Sequence, residues 1–223
     1  MKNEIKRNPI TIFLLVLTIL VFLAMQIVYF GNATSGQAIL NFGGMYGAYV
    51  SLVPTQLWRL VTPIFVHIGW EHFFFNALTL YFVGQIAEQI WGHHKFLALY
   101  VLSGVVGNAF TLFFTPNVIA AGASTSLFGV FAAIMVVGYF GRNSFLKELG
   151  RNYQLLILIN LLFNLFTPGV GIIGHIGSLV GGILCAIFLP TIVEKDMFKP
   201  WQRWLAAGSY VVLNLILILA ALL

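Results

Sequence analysis

This sequence carries little charge. Only 8% of its 223 residues are Asp, Glu, Lys or Arg, while 60% are apolar. A soluble domain has about a quarter charged residues, so water is excluded as the main solvent of this surface. There is a single cysteine, Cys185, inside an apolar run. That excludes a disulfide framework and a thiolate metal site, and it reads as a small packing residue. Six acidic residues stand against eleven lysines and arginines, for a net charge of +5. The positive residues are scattered between apolar runs rather than gathered in a patch, which excludes nucleic acid as a partner. No Gly-rich phosphate loop, HExxH or CxxC occurs. No cofactor and no metal site are expected.

Long apolar runs dominate what is there. A bilayer core is about 30 Å thick, and a spanning helix needs about 20 apolar residues. Seven segments meet that requirement approximately: 10–30, 72–91, 95–114, 123–141, 153–167, 172–190 and 203–223. The expected fold is all-α, a polytopic membrane bundle of about seven transmembrane helices with the lipid bilayer as its partner. Segment one follows Lys2, Lys6 and Arg7. Its apolar run exceeds the h-region of a signal peptide and no small-residue cleavage site follows closely, so it reads as a retained anchor. The longest connection, 31–71, contains Trp58, Arg59 and Trp70. It is too apolar for water and is expected to lie in the membrane interface.

Orientation follows from the basic residues. With the N-terminus in the cytoplasm, Lys95, then Arg142, Lys147 and Arg151, then Lys195, Lys199 and Arg203 fall in or beside cytoplasmic loops. Of the eleven lysines and arginines, only Arg59 falls outside, in keeping with the positive-inside rule. The C-terminus is then extracytoplasmic. This topology, without an organelle signal, points to a bacterial plasma membrane.

Polar groups inside a membrane are costly and mark functional sites. Segment two opens with His72 and Asn76. Segment four opens with Gly122-Ala123-Ser124-Thr125-Ser126. Segment six carries His175 among Gly174, Gly177, Ser178, Gly181 and Gly182. Counted from the cytoplasmic ends at 1.5 Å per residue, Asn76 and His175 lie about 24 Å up and Ser124 about 27 Å. Taken singly, Ser124 reads as a serine bonded to its own helix, His175 as a helix–helix contact or proton relay, and Asn76 as interhelical glue. Their coincidence in one layer favours an acyl-transfer site instead. Small residues every four positions around His175 let segment six approach its neighbours closely.

These residues resemble the rhomboid family of intramembrane serine proteases. Gly122-Ala123-Ser124-Thr125 looks like its GxSx nucleophile motif, and His175 with the small residues after it resembles its histidine helix. His72-Phe73-Phe74-Phe75-Asn76 resembles its HxxxN motif, Trp58-Arg59 its WR signature, and Glu88 a further acidic position. Thr125 and Ser178 stand where many members have glycine. The resemblance spans about residues 10–190 and implies a rhomboid-like six-helix core. Residues 1–9 would be a cytoplasmic N-terminus, and 191–223 a linker and an additional helix of the six-plus-one variant.

The resemblance implies Ser124 as nucleophile and His175 as general base, with Asn76, His72 and the backbone N–H of Ser124 as oxyanion donors. Gly122 is a supporting residue, letting segment four approach its neighbours closely. Phe128, one turn below Ser124, is expected to stack on the imidazole. No carboxylate sits near His175 in sequence, so a dyad is expected rather than a triad. Ser126 faces another side of the helix and ranks below Ser124 as nucleophile. His67 reads as interfacial, Arg59 as a donor to loop carbonyls, Glu88 as a pin between helices, and His93 and His94 as a cytoplasmic interfacial end.

Substrates would be single-span transmembrane proteins with helix-weakening residues near the outer surface. Entry would be lateral; segment five, with Asn160, Phe163, Asn164 and Phe166, and the 167–171 loop read equally as a gate with a movable cap or as a plain helix with an ordinary turn. Two other readings stay open: an inactive rhomboid-like protein that binds membrane clients, and a transporter using the polar residues as a path. The latter is expected to show paired repeats, and none is evident. Oligomeric state is not legible.

Overall fold

A computed structural model of the chain describes residues 6–166 and 171–223. The proposed gating loop, apart from Gly171, lies outside the described residues.

Among the described residues seven long helices form the bundle: α1 Pro9–Val28, α4 Gly69–Trp91, α5 His93–Phe114, α6 Ser124–Phe140, α7 Ser144–Phe166, α8 Ile172–Phe188 and α9 Pro200–Leu222. Of these, α1, α5 and α9 are long and apolar enough to cross a membrane by length and hydropathy alone. The apolar helices α6 and α8 have 17 residues each. At 1.5 Å per residue such a helix is about 25 Å long, shorter than a bilayer core of about 30 Å. One end of α6 must therefore stop short of a membrane surface, and Ser124 is its first residue.

The helix α6 is the centre of the bundle, with 13 of its 17 residues buried. A helix that is apolar all round has no face to offer water, and α6 is enclosed by α5, α7 and α8. Glycines set the closeness. A Cβ on Gly182 of α8 would sit 2.0 Å from the Gly129 carbonyl oxygen of α6, and one on Gly107 of α5 would sit 2.6 Å from that of Gly174. The small-residue face around His175 thus meets α5 as well as α6. A third contact joins α6 to α7, where a Cβ on Gly138 would sit 2.5 Å from Gly150 Cα.

The helix α7 starts nine residues before the expected 153. Its first turns contain Lys147, Glu148 and Arg151, which hydropathy places in a loop. Long cationic side chains reach an interface from within a helix, so charge does not end the helix there. Arg142 and Asn143 before it donate backbone N–H to the Glu194 carboxylate, at 2.8–3.1 Å, and Arg142 pairs with Asp196 at 2.9 Å. The backbone N–H groups and Arg142 hold the Glu194 carboxyl below its ordinary range, and Arg142 does the same for Asp196.

Residues 29–68 are folded rather than a plain interfacial loop. They contain α2 (Gly36–Asn41), β1 (Met45–Tyr46), α3 (Gly47–Leu52) and two 3-10 turns, Pro54–Leu60 and Thr62–Phe65. Strand β1 pairs antiparallel with β2 (Ile119–Ala120), just before α6. These two short strands are a small addition to an otherwise helical fold. Arg59 organises the segment: its Nη1 donates to the Leu40 and Gly44 carbonyls at 2.7 and 2.8 Å, and its guanidinium lies 4.4 Å from the Trp58 ring centroid. It is buried, and burial lowers its pKa. Asn108 of α5 donates to the Leu60 carbonyl at 2.9 Å and docks the segment on the bundle.

Glu88 of α4 pins the start of α1. Its carboxylate accepts from Ile10 N at 2.9 Å, Thr11 N at 2.8 Å and Thr11 Oγ1 at 2.7 Å, and lies 2.6 Å from His93 Nδ1. The first N–H groups of a helix lack partners within it; here a neighbouring helix supplies the cap.

Candidate active site

The chain reaches Ser124 through a backbone turn that demands glycine. Gly122 has φ +134°, and a Cβ there would meet His72 Cε1 at 2.6 Å. The Gly122 N–H donates to the Pro63 carbonyl at 2.9 Å, and Ala123 N–H donates to His67 Nε2 at 3.2 Å. Two bonds from the folded loop therefore fix the entrance to α6. Ser124 then occupies the helix N-terminus, where the first N–H groups lack intrahelical acceptors and carry the positive end of the dipole.

His175 lies one turn into α8, is buried, and presents Nε2 at 2.9 Å from Ser124 Oγ. Its ring stacks on Phe128, with centroids 4.2 Å apart and planes 9° apart. Phe128 sits four residues after Ser124, so one face of α6 carries both the hydroxyl and the shelf.

His72 and Asn76 share a face of α4, one turn apart. Ile68 N–H donates to His72 Nδ1 at 3.2 Å. That bond leaves the proton of the neutral ring on Nε2, and a Cβ built on Gly122 would be 2.8 Å from this nitrogen and 3.3 Å from Ser124 Oγ. Asn76 is buried; its Nδ2 donates to the His72 carbonyl at 2.8 Å. An amide nitrogen has two hydrogens, so a second donor remains. Ser124, His175, His72, Asn76 and Phe128 line one cavity of about 710 Å³. The structure thus brings Ser124, His175, His72, Asn76 and Phe128 together, with Gly122 at the turn. Of the lining residues one is acidic, Glu71, exposed at the rim. Among the described residues no group of His, Cys, Asp and Glu is arranged to hold a metal ion.

Ser126 points elsewhere. It is fully buried, and a Cβ on Gly104 of α5 would lie 2.5 Å from its Oγ. Two residues near the site were read differently from sequence. His67 is fully buried rather than interfacial, and its Nδ1 lies 3.3 Å from the Phe65 carbonyl. Burial, with His72 adding, pushes its pKa down to about 3, so the ring is neutral and Nε2 is free to accept from Ala123. Asn164, read from sequence as part of a gate, lies with Nδ2 2.7 Å from His175 Nδ1. The signal for it was Asn160 and Asn164 one turn apart on an apolar helix, which marks an inward face.

The arrangement has clear relatives. The Rhomboid domain family matches residues 54–192. The rhomboid protease GluP of Bacillus subtilis (strain 168) is 35% identical over 174 residues, covering 75% of this chain and 34% of its own length. The chain therefore spans about a third of that relative. The putative rhomboid protease YdcA of the same organism is 25% identical, covering 81% of this chain and 88% of its own length. Inactive RHOMBOID-like protein 8 of Arabidopsis thaliana is 27% identical, covering 66% of this chain and 40% of its own length. The family match takes in α4 to α8, the helices that surround the cavity, and the chain belongs to the rhomboid family.

Proposed function

We propose that this chain is an intramembrane serine endopeptidase that cleaves single-span membrane proteins near the extracytoplasmic surface. The observation that carries the reading is the 2.9 Å separation of Ser124 Oγ and His175 Nε2 inside a cavity of a membrane bundle. Ser124 Oγ attacks the scissile carbonyl carbon while His175 Nε2 takes the hydroxyl proton. The C–O bond that forms places negative charge on the carbonyl oxygen. Ser124 N–H, His72 Nε2–H and the second Asn76 amide hydrogen are the donors for it. One such donor is worth about 3–4 kcal/mol of transition-state stabilisation.

His175 returns the proton to the amine as the C–N bond breaks. Water then attacks the acyl-enzyme by the same route, with His175 again the base. A helical substrate hides its carbonyls in its own hydrogen bonds, so helix-weakening residues at the cleaved bond favour reaction.

The catalytic core is residues 10–190. Residues 1–9 are cytoplasmic, and 191–223 are a linker and an added helix ending outside the cytoplasm, in a bacterial plasma membrane. Substrates reach the cavity past α7. The relative named as inactive gives the competing reading, a client-binding protein without catalysis; the presence of both Ser124 and His175 argues for activity.

Reconstituted protein in liposomes with a tagged single-span substrate tests the proposal. Wild type cuts; Ser124→Ala and His175→Ala do not. A fluorophosphonate labels Ser124 alone. Cutting that persists in Ser124→Ala removes the assignment.

A further inference from the structure

We propose that Asn164 is the positioning residue of the general base, taking the place that a carboxylate fills in a three-residue site. The inference rests on the serine peptidase reading above. His175 Nε2 can accept the Ser124 proton only if the neutral ring carries its hydrogen on Nδ1. That hydrogen points into α7, where the Asn164 amide lies 2.7 Å away. A half turn about χ2 exchanges the two ends of the amide, and the proton inventory selects between them. An amide N–H facing Nδ1 would put the ring proton on Nε2 and leave Ser124 no acceptor. With Oδ1 facing Nδ1, the amide accepts from Nδ1–H, holds the reactive tautomer, and turns its dipole toward the imidazolium that forms.

The surroundings support a dedicated role. Leu162, Phe163, Leu165 and Phe166 around it are 57%, 69%, 65% and 82% exposed on the lipid side of the bundle, whereas Asn160 and Asn164 turn into the cavity. Asn160 donates to the Leu156 carbonyl of its own helix, but Asn164 crosses to α8. Among the described residues no other side-chain hydrogen bond joins α7 to α8. Phe128 fixes the plane of the imidazole from below, and an in-plane partner at Nδ1 fixes its remaining freedom, rotation within that plane. Because the partner stands on α7, the state of the base is tied to the position of that helix.

The test is steady-state cleavage in liposomes by wild type, Asn164→Ala, Asn164→Leu and Asn164→Asp, with 15N spectra of histidine-labelled wild type in nanodiscs, assigned against His175→Ala. Losing one orienting hydrogen bond is expected to lower kcat about tenfold to hundredfold in the Ala and Leu variants, with KM within about threefold. Asp, which keeps an acceptor at Nδ1, recovers most of the loss, whereas a residue that only fills space would tolerate Leu better than Asp. The wild-type spectrum shows His175 with its hydrogen on Nδ1. The proposal falls if kcat is unchanged in Ala and Leu, if Asp is no better than Ala, or if wild type carries the hydrogen on Nε2; the last result needs no variant to fold. Failure of the peptidase reading looks different, because wild type would then not cut, or Ser124→Ala or His175→Ala would still cut.

Discussion

The imidazole of His175 lies flat on the ring of Phe128, 4.2 Å from centroid to centroid and 9° from parallel. Phe128 stands on α6 and His175 on α8, so packing of the two helices sets the orientation of the imidazole. Stacking of this kind contributes about 0.5–1.5 kcal/mol beyond area burial, and more once the ring is an imidazolium over a π-face. Phe128→Ala is therefore expected to lower kcat about tenfold to hundredfold with little change in KM, and Phe128→Tyr to stay near wild type. Wild-type kcat in Phe128→Ala would show that the ring plane is held by something else.

Gly182→Ala tests the helix contact itself. The added methyl would lie 2.0 Å from the Gly129 carbonyl oxygen, a backbone atom that cannot swing aside. The helix α8 must then back away from α6. Overpacking costs about 1–3 kcal/mol of stability, but the larger effect is on Ser124, whose fluorophosphonate labelling is expected to slow more than tenfold as the 2.9 Å contact opens. Labelling at the wild-type rate would contradict the close approach.

Glu88→Leu removes a buried acceptor and strands the N–H groups of Ile10 and Thr11. A buried donor left without its acceptor costs about 1–3 kcal/mol. The expected result is a lower unfolding midpoint in mild detergent and faster amide exchange in the first turn of α1. Glu88→Gln, which keeps one acceptor oxygen, is expected to fall between. Unchanged exchange in α1 would remove the capping role.

His67 makes stability depend on pH. Its ordinary pKa is 6.5, and burial lowers it to about 3 in the folded chain. Between those values the unfolded chain binds more protons than the folded one, so stability rises with pH and falls as acid is added. The loss begins below about pH 6.5 and is complete near pH 3. His67→Gln keeps a polar side chain without a titrating group and is expected to flatten the unfolding midpoint across that window. The same slope in wild type and variant would exclude His67 as its origin.

Much of the helical plan was legible because lipid and length act on the chain locally. Apolar runs of sufficient length located all seven long helices, and the boundary that failed, the start of α7, failed where Lys147 and Arg151 sit within a helix. Arg59 and Glu88 were readable as loop and interhelical anchors because a charge in apolar surroundings must find partners. His67 and Asn164 were not readable in their roles. Hydropathy reports that a position is in the membrane, but not which neighbour its polar atom meets. The pairing of β1 with β2 was invisible for a similar reason: two residues carry no periodicity, and their partner lies some 75 positions away.

The sequence by itself determined that this chain lives in a bilayer, how many long helices it forms, and that one serine, one histidine and one asparagine lie at a common depth, since each follows from transfer energies and the fixed rise of a helix. Only the tertiary structure decided which atoms face one another: Ser124 Oγ against His175 Nε2, Ala123 N–H on His67, Asn164 beside Nδ1. Those contacts depend on helix rotation and close approach, which Gly129, Gly174 and Gly182 permit through contacts between segments far apart in the chain.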